Sequence, residues 1–133
     1  MAEALGAIEK IQQTIKAGQF KEALEMTNLA EEQSSSSPEL FYMKAVCHRY
    51  LEEHELALGV LRDLKALSPE NGRAYQEEGH VYRSLGETQK AITAFERATQ
   101  YNPALEASFK SQLELLDEKM EARKAWNILR TLN

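Results

Sequence analysis

The side chains best suited to chemistry in this sequence are three histidines, one cysteine and several adjacent glutamates. His48 and His54 lie six positions apart, whereas histidines that bind one metal ion from a helix face lie three or four positions apart. Adjacent carboxylates such as Glu52 and Glu53 serve acid–base catalysis only in a shielded cleft that separates their pKa values. No glycine-rich phosphate loop or nucleophile motif accompanies them. We therefore predict a protein without a metal site or cofactor, and one that is not an enzyme.

The composition excludes several further classes of function. Hydrophobic residues make up 43% of the chain and charged residues 28%, as in ordinary globular proteins. The formal net charge of −5 disfavours nucleic-acid binding, because neutralising phosphates requires a surplus of Lys and Arg. No apolar run approaches the roughly 20 residues that span a bilayer, and the first residues lack the pattern of a secretion signal. Together with the single Cys47, these features predict a cytoplasmic location, with neither nucleic acid nor membrane as a partner.

The elements that position these side chains are predicted to be helices. The chain contains six Gly and three Pro, too few turn-forming residues for a β-domain of this length. Residues 38–71 and 72–105 have the same length and align without gaps, and weaker copies of the pattern precede and follow them. The clearest copy, 72–105, carries Tyr75, Gly79, Tyr82, Gly86, Ala91, Phe95, Ala98 and Pro103.

This pattern resembles the tetratricopeptide repeat (TPR), a unit of two antiparallel helices. The resemblance implies an all-α fold, a right-handed superhelical solenoid of about three to four helix pairs. It places 1–133 in a single domain, with a degenerate repeat at 4–37, repeats at 38–71 and 72–105, and a partial or capping repeat at 106–133. First helices are expected near 3–17, 38–51, 72–84 and 104–118, and second helices near 20–33, 54–67, 88–101 and 121–131.

The resemblance also implies a function, because the first helices of TPR units line a concave groove that holds a protein or peptide. We therefore expect a non-catalytic scaffold. Arginine forks bind carboxylates and tyrosines offer rigid contact area, which favours an acidic or aromatic-bearing peptide. The alternative is that the arginines pair with neighbouring acids on a solvated helix face. The expected groove residues are Tyr42, Arg49, Tyr50, Arg73, Gln76, His80, Arg83 and Lys110.

One subgroup of the family binds the C-terminal carboxylate of chaperones with Lys and Asn side chains at fixed positions. The corresponding residues of this chain are Ile8, Gln12, Met43, Arg73 and Glu77, and among them only Arg73 matches. The sequence therefore disfavours a receptor for chaperone tails.

Two further predictions concern the packing of the units. The seventh position of a unit, usually Leu in this family, is Lys44 in one unit and Glu78 in the next. An unpaired charge beneath the groove would be unfavourable, so we predict that these two side chains form a partly buried ion pair across the junction. His48 takes a position typical of a core aromatic residue, and we predict that it is packed and hydrogen-bonded.

An alternative function comes from a second resemblance. Residues 73–80 and 102–109 look like TPR modules that precede sulfotransferase domains in some bacterial proteins. This implies a regulatory or oligomerising N-terminal module of a larger enzyme. Near the C-terminus, Trp126 and Ile128 add apolar surface beyond the stripe that can pack inward. This surface is expected to meet a further repeat, a following domain or a second copy of the chain, and in the last case it is an assembly surface that makes a homodimer through the last helix.

Overall fold

The computed structural model describes the backbone of residues 2–33, 37–105 and 110–121, and the side chains of these residues from residue 6 onward. All regular secondary structure in these ranges is helical, so the predicted all-α class is confirmed. The first six helices begin and end within one residue of the predicted bounds. The helices are α1 (Ala2–Lys16), α2 (Phe20–Gln33), α3 (Pro38–Tyr50), α4 (His54–Leu67), α5 (Gly72–Ser84), α6 (Thr88–Tyr101) and α7 (110–121).

Side-chain caps fix the beginning of the first helix in each of the two central units. The Oγ atom of Ser37 accepts a hydrogen bond from the backbone N–H of Leu40 at 3.3 Å, and Pro38 occupies the first turn, where its missing N–H is not needed. At the start of α5, Oδ1 of Asn71 accepts from the N–H of Ala74, also at 3.3 Å. Because of these caps, α3 and α5 begin at equivalent positions of their units.

The helices pack as successive pairs, α1 with α2, α3 with α4 and α5 with α6. Small residues allow the close approach within a pair. A Cβ atom added at Gly79 on α5 would lie 2.5 Å from Cε1 of Phe95 on α6, so the phenylalanine ring occupies the volume that any larger side chain would need. In the preceding pair, Ala45 and Ala57 are both fully buried. Small residues therefore lie where the two helices of a pair approach each other closely.

The first helices form the inner side of the solenoid. Helix α3 packs against both α1 and α5, in addition to the second helices on either side of it. No two second helices of the described residues make a comparable contact. Because successive units are closer together on the side of α1, α3 and α5, this side is concave. We call its solvent-facing surface, continued by α7, the first-helix face.

The predicted ion pair between Lys44 and Glu78 is wrong. Each side chain instead reaches back to the second helix of the preceding unit. The Nζ atom of Lys44 lies 3.6 Å from Oε2 of Glu31 on α2, and Glu78 pairs with Lys65 on α4. The reason is geometric. The seventh residue of a first helix points to the second helix of the preceding unit. The seventh residue of the next unit lies one full repeat away and points in the same direction, so the two do not meet. Both pairs are only partly exposed.

The predicted assembly surface at Trp126 and Ile128 lies outside the described residues. The homodimer therefore stays a prediction. No helix among the described residues is long and apolar enough to cross a membrane.

Candidate protein-binding groove

Helices α3 and α5 place the predicted groove residues on one surface. Arg73, Gln76, His80 and Arg83 follow a spacing of three, four and three residues, which aligns them along one face of α5. On α3, Tyr42 and Arg49 are seven residues apart, which is about two helical turns. Lys110 lies at the described start of α7 and is exposed. The first-helix face thus carries three arginines and two tyrosines from two adjacent units.

Arg73 and Tyr42 form a stacked pair between the second and third units. The guanidinium carbon of Arg73 lies 4.1 Å from the centre of the Tyr42 ring, within the range of a cation–π contact. The Nη1 atom of Arg73 is 3.8 Å from Oε2 of Glu39, and about half of the arginine side chain (49%) is exposed. Burial and the nearby Glu77 carboxylate raise the pKa of Tyr42, so its hydroxyl is un-ionised at neutral pH. The tyrosine therefore packs against the guanidinium of an arginine whose side chain is about half exposed.

Arg49 and Glu77 form a second, less accessible contact between the same two units. The Nε atom of Arg49 lies 2.5 Å from Oε2 of Glu77, and Nη2 lies 3.3 Å from Oε1. This is the two-pronged geometry that makes arginine–carboxylate pairs strong. Only 5% of the Glu77 side chain is exposed. Glu77 therefore neutralises Arg49 in the middle of the first-helix face.

An aromatic stack extends the first-helix face toward the first unit. The ring of Tyr50 lies parallel to that of Phe20 on α2, with ring centres 4.7 Å apart and an interplanar angle of 2°. The guanidinium carbon of Arg49 is 4.3 Å from the centre of the Tyr50 ring. Tyr50 is nevertheless exposed. It is a fixed aromatic platform open to solvent, a type of residue that contributes strongly to binding interfaces.

His80 and Arg83 occupy the far half of α5. The His80 ring meets Phe95 edge to face, with ring centres 5.2 Å apart. Burial lowers the pKa of His80, and the charges of Arg49 and Arg83 lower it further against the opposing effect of Glu77. His80 is therefore neutral at pH 7. The Nη2 atom of Arg83 lies 3.4 Å from Glu114 and 3.8 Å from Glu118, both on α7.

The first-helix face is consequently not a basic surface. Each of its three arginines faces an acid on an adjacent unit, which is the arrangement that the sequence left open as an alternative. The role of Glu77 as the partner of Arg49 is not predicted from the sequence, in which it stands out only as a mismatch to the chaperone clamp. The repeat pattern places both residues on first helices but does not specify that their side chains meet across the junction.

His48 and Cys47, two of the side chains best suited to chemistry, are buried in the packed structure. His48 is buried, and its Nδ1 atom lies 3.2 Å from Oε1 of Glu53, so the predicted packed and hydrogen-bonded histidine is confirmed. Burial raises the pKa of the Cys47 thiol to about 11, which keeps it in the unreactive protonated form. Among the described residues, no group of three or more His, Cys, Asp or Glu side chains converges in a way that could hold a metal ion.

Residues 72–105, which form α5 and α6, match the family model described as tetratricopeptide repeat. This is the segment whose pattern is clearest in the sequence and whose Gly79–Phe95 contact is the tightest described above. Residues 72–105 therefore form a tetratricopeptide repeat. The predicted resemblance to this repeat and the solenoid of helix pairs are confirmed.

Similar proteins agree with this assignment. A curated relative, small glutamine-rich tetratricopeptide repeat-containing protein 2 of Mycosarcoma maydis, is 25% identical over 113 residues, which are 85% of this chain. The chain spans about a third (32%) of the length of that relative. The NMR structure of the first TPR domain of human RPAP3 superposes with a TM-score of 0.80 at 19% identity, covering 91% of this chain and 95% of that domain.

A third comparison concerns a TPR domain with its ligand. The first TPR of Spaghetti (RPAP3), solved bound to the HSP90 peptide SRMEEVD, has a TM-score of 0.77 at 20% identity, covering 88% of this chain and 93% of that one. At this identity, the similarity establishes a shared fold. None of these relatives is described as a sulfotransferase, so the predicted link to that class has no support from them.

Proposed function

We propose that this chain is a non-catalytic scaffold that binds an extended peptide segment of a partner protein along the first-helix face. The shape supports this proposal, since α3 and α5 line the concave side of the solenoid. The residue types support it too, because Tyr and Arg are the side chains that most often dominate binding energy at interfaces. A protein of the same fold was solved with a peptide bound.

The observation that carries the proposal is the stacking of Arg73 on Tyr42. Arg49 is committed to Glu77 at 2.5 Å and is largely covered. Arg73 has a looser ion pair, 3.8 Å from Glu39, and its side chain is more than twice as exposed, at 49% against 20% for Arg49. A carboxylate of the ligand can approach the outer edge of Arg73 without breaking a short hydrogen bond. We therefore propose that the peptide carries an acidic side chain and that this side chain binds Arg73.

A selection experiment tests this proposal. Heptapeptides rich in Asp and Glu would be displayed at internal positions and selected on the immobilised chain, and the binders then measured by fluorescence anisotropy. Arg73→Ala is expected to weaken them about tenfold, the value of one charge-assisted hydrogen-bonding contact. The matched control is Arg62→Ala, which removes the same charge from α4, outside the first-helix face.

Two results would contradict the proposal. Selected peptides that bind both variants equally well would show that Arg73 does not contact them. NMR shift changes confined to the second helices on adding a selected peptide would place binding on the convex side. Shift changes at Tyr42, Arg73 and Gln76 are the expected result.

The same assay separates this proposal from a chaperone-tail receptor. Met43 and Glu77 occupy two of the clamp positions, and both are buried, the first in the apolar core and the second against Arg49. Neither can bind a terminal carboxylate. We expect that amidation of the C-terminus of the peptide SRMEEVD does not change its affinity for this chain. A large loss on amidation would show that this chain recognises the terminus.

A further inference from the structure

The turn between α3 and α4 departs from the repeat pattern at two positions. Glu52 has a φ angle of 61°, in the left-handed region, whereas the equivalent residues of the neighbouring units are Gly18 and Gly86, with φ angles of 79° and 76°. Glycine adopts this conformation without strain and glutamate does not. Four residues later, Leu56 is 54% exposed, although charged residues take the same place in the other two units. The first departure adds backbone strain, and the second leaves about half of a leucine side chain in water.

Both departures line one recess at the edge of the solenoid. Leu85, at the end of α5, supplies its other apolar wall and is 40% exposed. The recess therefore bridges two units and presents two leucine side chains to solvent. We call it the turn-edge recess. Its lining residues are Glu52, Glu53, His54, Glu55, Leu56 and Leu85.

The charge around this apolar surface is of one sign. Three of the lining residues are glutamates, all exposed, and none of the described lining residues is Lys or Arg. Glu53 contacts His48, and Glu55 lies in the first turn of α4, where a negative charge is favourable. The side chain of Glu52 makes no ion pair within the described structure. This contrasts with the first-helix face, where each arginine faces an acid.

We propose that the turn-edge recess is a second docking site, and that it binds a basic amphipathic segment of a partner protein in which Lys or Arg flanks a large apolar side chain. The apolar side chain would cover Leu56 and Leu85, and removing these leucines from water provides the affinity. The cationic side chains would face Glu52 and Glu55, and this charge complementarity sets the choice of partner and speeds association. Positive φ at a non-glycine residue is retained in proteins mainly where it serves a function.

An NMR titration tests where such a segment binds. The probe is a nine-residue peptide of alternating Lys and Leu, and the matched peptide has Glu in place of every Lys. We expect the Lys peptide to shift the amide signals of Glu52, Glu55, Leu56 and Leu85, with an affinity that falls as salt is raised. The Glu peptide should not bind there. Equal binding of both peptides, or shifts confined to the first-helix face, would overturn the proposal.

A set of variants separates binding from stability. Glu52→Gly removes both the charge and the backbone strain, so we expect it to raise the melting temperature by about 3 °C and to weaken the Lys peptide about threefold. Leu56→Lys introduces the residue type that the third unit has at this position, Lys90. We expect it to lower the affinity for the Lys peptide by tenfold or more. Glu96→Gln removes one exposed negative charge from α6 and serves as the control.

The outcomes are distinguishable from those of the groove proposal. A Glu52→Gly protein that is more stable but binds the Lys peptide unchanged would overturn the inference, because Glu52 would then be only a tolerated substitution. Arg73→Ala should leave this peptide unaffected, so failure of binding in the groove does not imply failure here. Gly86→Glu, which places the same strain in the third unit, should lower the melting temperature without creating a site.

Discussion

Two junctions of the solenoid, that of α2 with α3 and that of α4 with α5, have similar packing but different chemistry. At the junction of α2 with α3, the sixth residue of the unit is Met43, which is 2% exposed and packs with Leu40, Cys47 and Ile11. At the junction of α4 with α5, the equivalent residue is Glu77, which is almost as buried but pairs with Arg49. At this sixth position the first junction is apolar and the second is charged, although Lys44 and Glu31 form a separate ion pair across the first junction. One backbone arrangement thus accepts either solution, provided that a buried charge has its partner.

The largest expected effect comes from placing the acid of the second junction in the first. Met43→Glu would bury a carboxylate in an apolar cluster that holds no arginine, at a cost of about 3 kcal/mol or more in the free energy of unfolding. Urea unfolding followed by circular dichroism measures it. The control is Met43→Leu, which changes shape alone and should cost less than about 1.5 kcal/mol. A Met43→Glu protein as stable as this control would refute the comparison.

The reverse exchange should cost less and should be rescued. Glu77→Met leaves Arg49 partly buried without its carboxylate, and we expect a loss of about 2–3 kcal/mol in urea unfolding. The double variant Glu77→Met with Arg49→Leu should recover most of this loss, because two apolar side chains then replace the pair. If the double variant were less stable than the single one, the pair would not be the reason for the destabilisation.

Charge reversal at the seventh position should have a smaller effect. Lys44→Glu would place two carboxylates next to each other, at residues 31 and 44. We expect the free energy of unfolding to fall by only about 1 kcal/mol, because both side chains are partly exposed. Adding Glu31→Lys restores an ion pair of opposite polarity, the arrangement found between Lys65 and Glu78. The coupling energy from this double-mutant cycle is the measurement. An additive result would mean that the 3.6 Å contact contributes nothing.

The smallest expected effect is a pH dependence that only the second junction should show. Burial lowers the pKa of His80 in the folded protein, so the unfolded chain binds more protons near its ordinary pKa of about 6.5. Stability contributed by neutral His80 is present above that pH and is lost as the pH falls through it. His80→Val installs the residue of the first junction, Val46. Unfolding curves between pH 7.5 and 5.5 should be flatter for this variant, and an unchanged slope would contradict the assignment.

Local signals account for how well the fold was predicted from the sequence. Caps such as Ser37 and Asn71, small residues such as Gly79 and the constant length of the units each act within one unit. Such features repeat, so each copy supports the interpretation of the others. The helix bounds and the helix pairing follow from these positions alone.

Contacts between units were predicted less well, because the pattern within a unit does not specify the direction of a side chain across a junction. Lys44 and Glu78 were rightly predicted to need partners, but the wrong partners were chosen. The three arginines predicted for the groove lie on α3 and α5, but the pairing of Glu77 with Arg49 does not follow from the repeat pattern. The repeat alignment puts Glu52 at the place of Gly18 and Gly86 and so indicates its left-handed conformation. The exposure of Leu56 and its position beside Leu85 depend on the packing of two units and cannot be read from residue types.

The ion pairs of Lys44 with Glu31 and of Glu78 with Lys65 have opposite polarity, because the cation is on the first helix in one and on the second helix in the other. This difference also restricts how the solenoid can be lengthened. A second copy of residues 38–71 inserted after the first would set Lys65 of one copy against Lys44 of the next, two like charges in a partly buried place. A second copy of residues 72–105 would set Thr99 against Glu78, which avoids repulsion but leaves this largely buried carboxylate without a cation. The charges therefore act as an ordering rule for growth by duplication: neither unit can be copied next to itself without a compensating substitution.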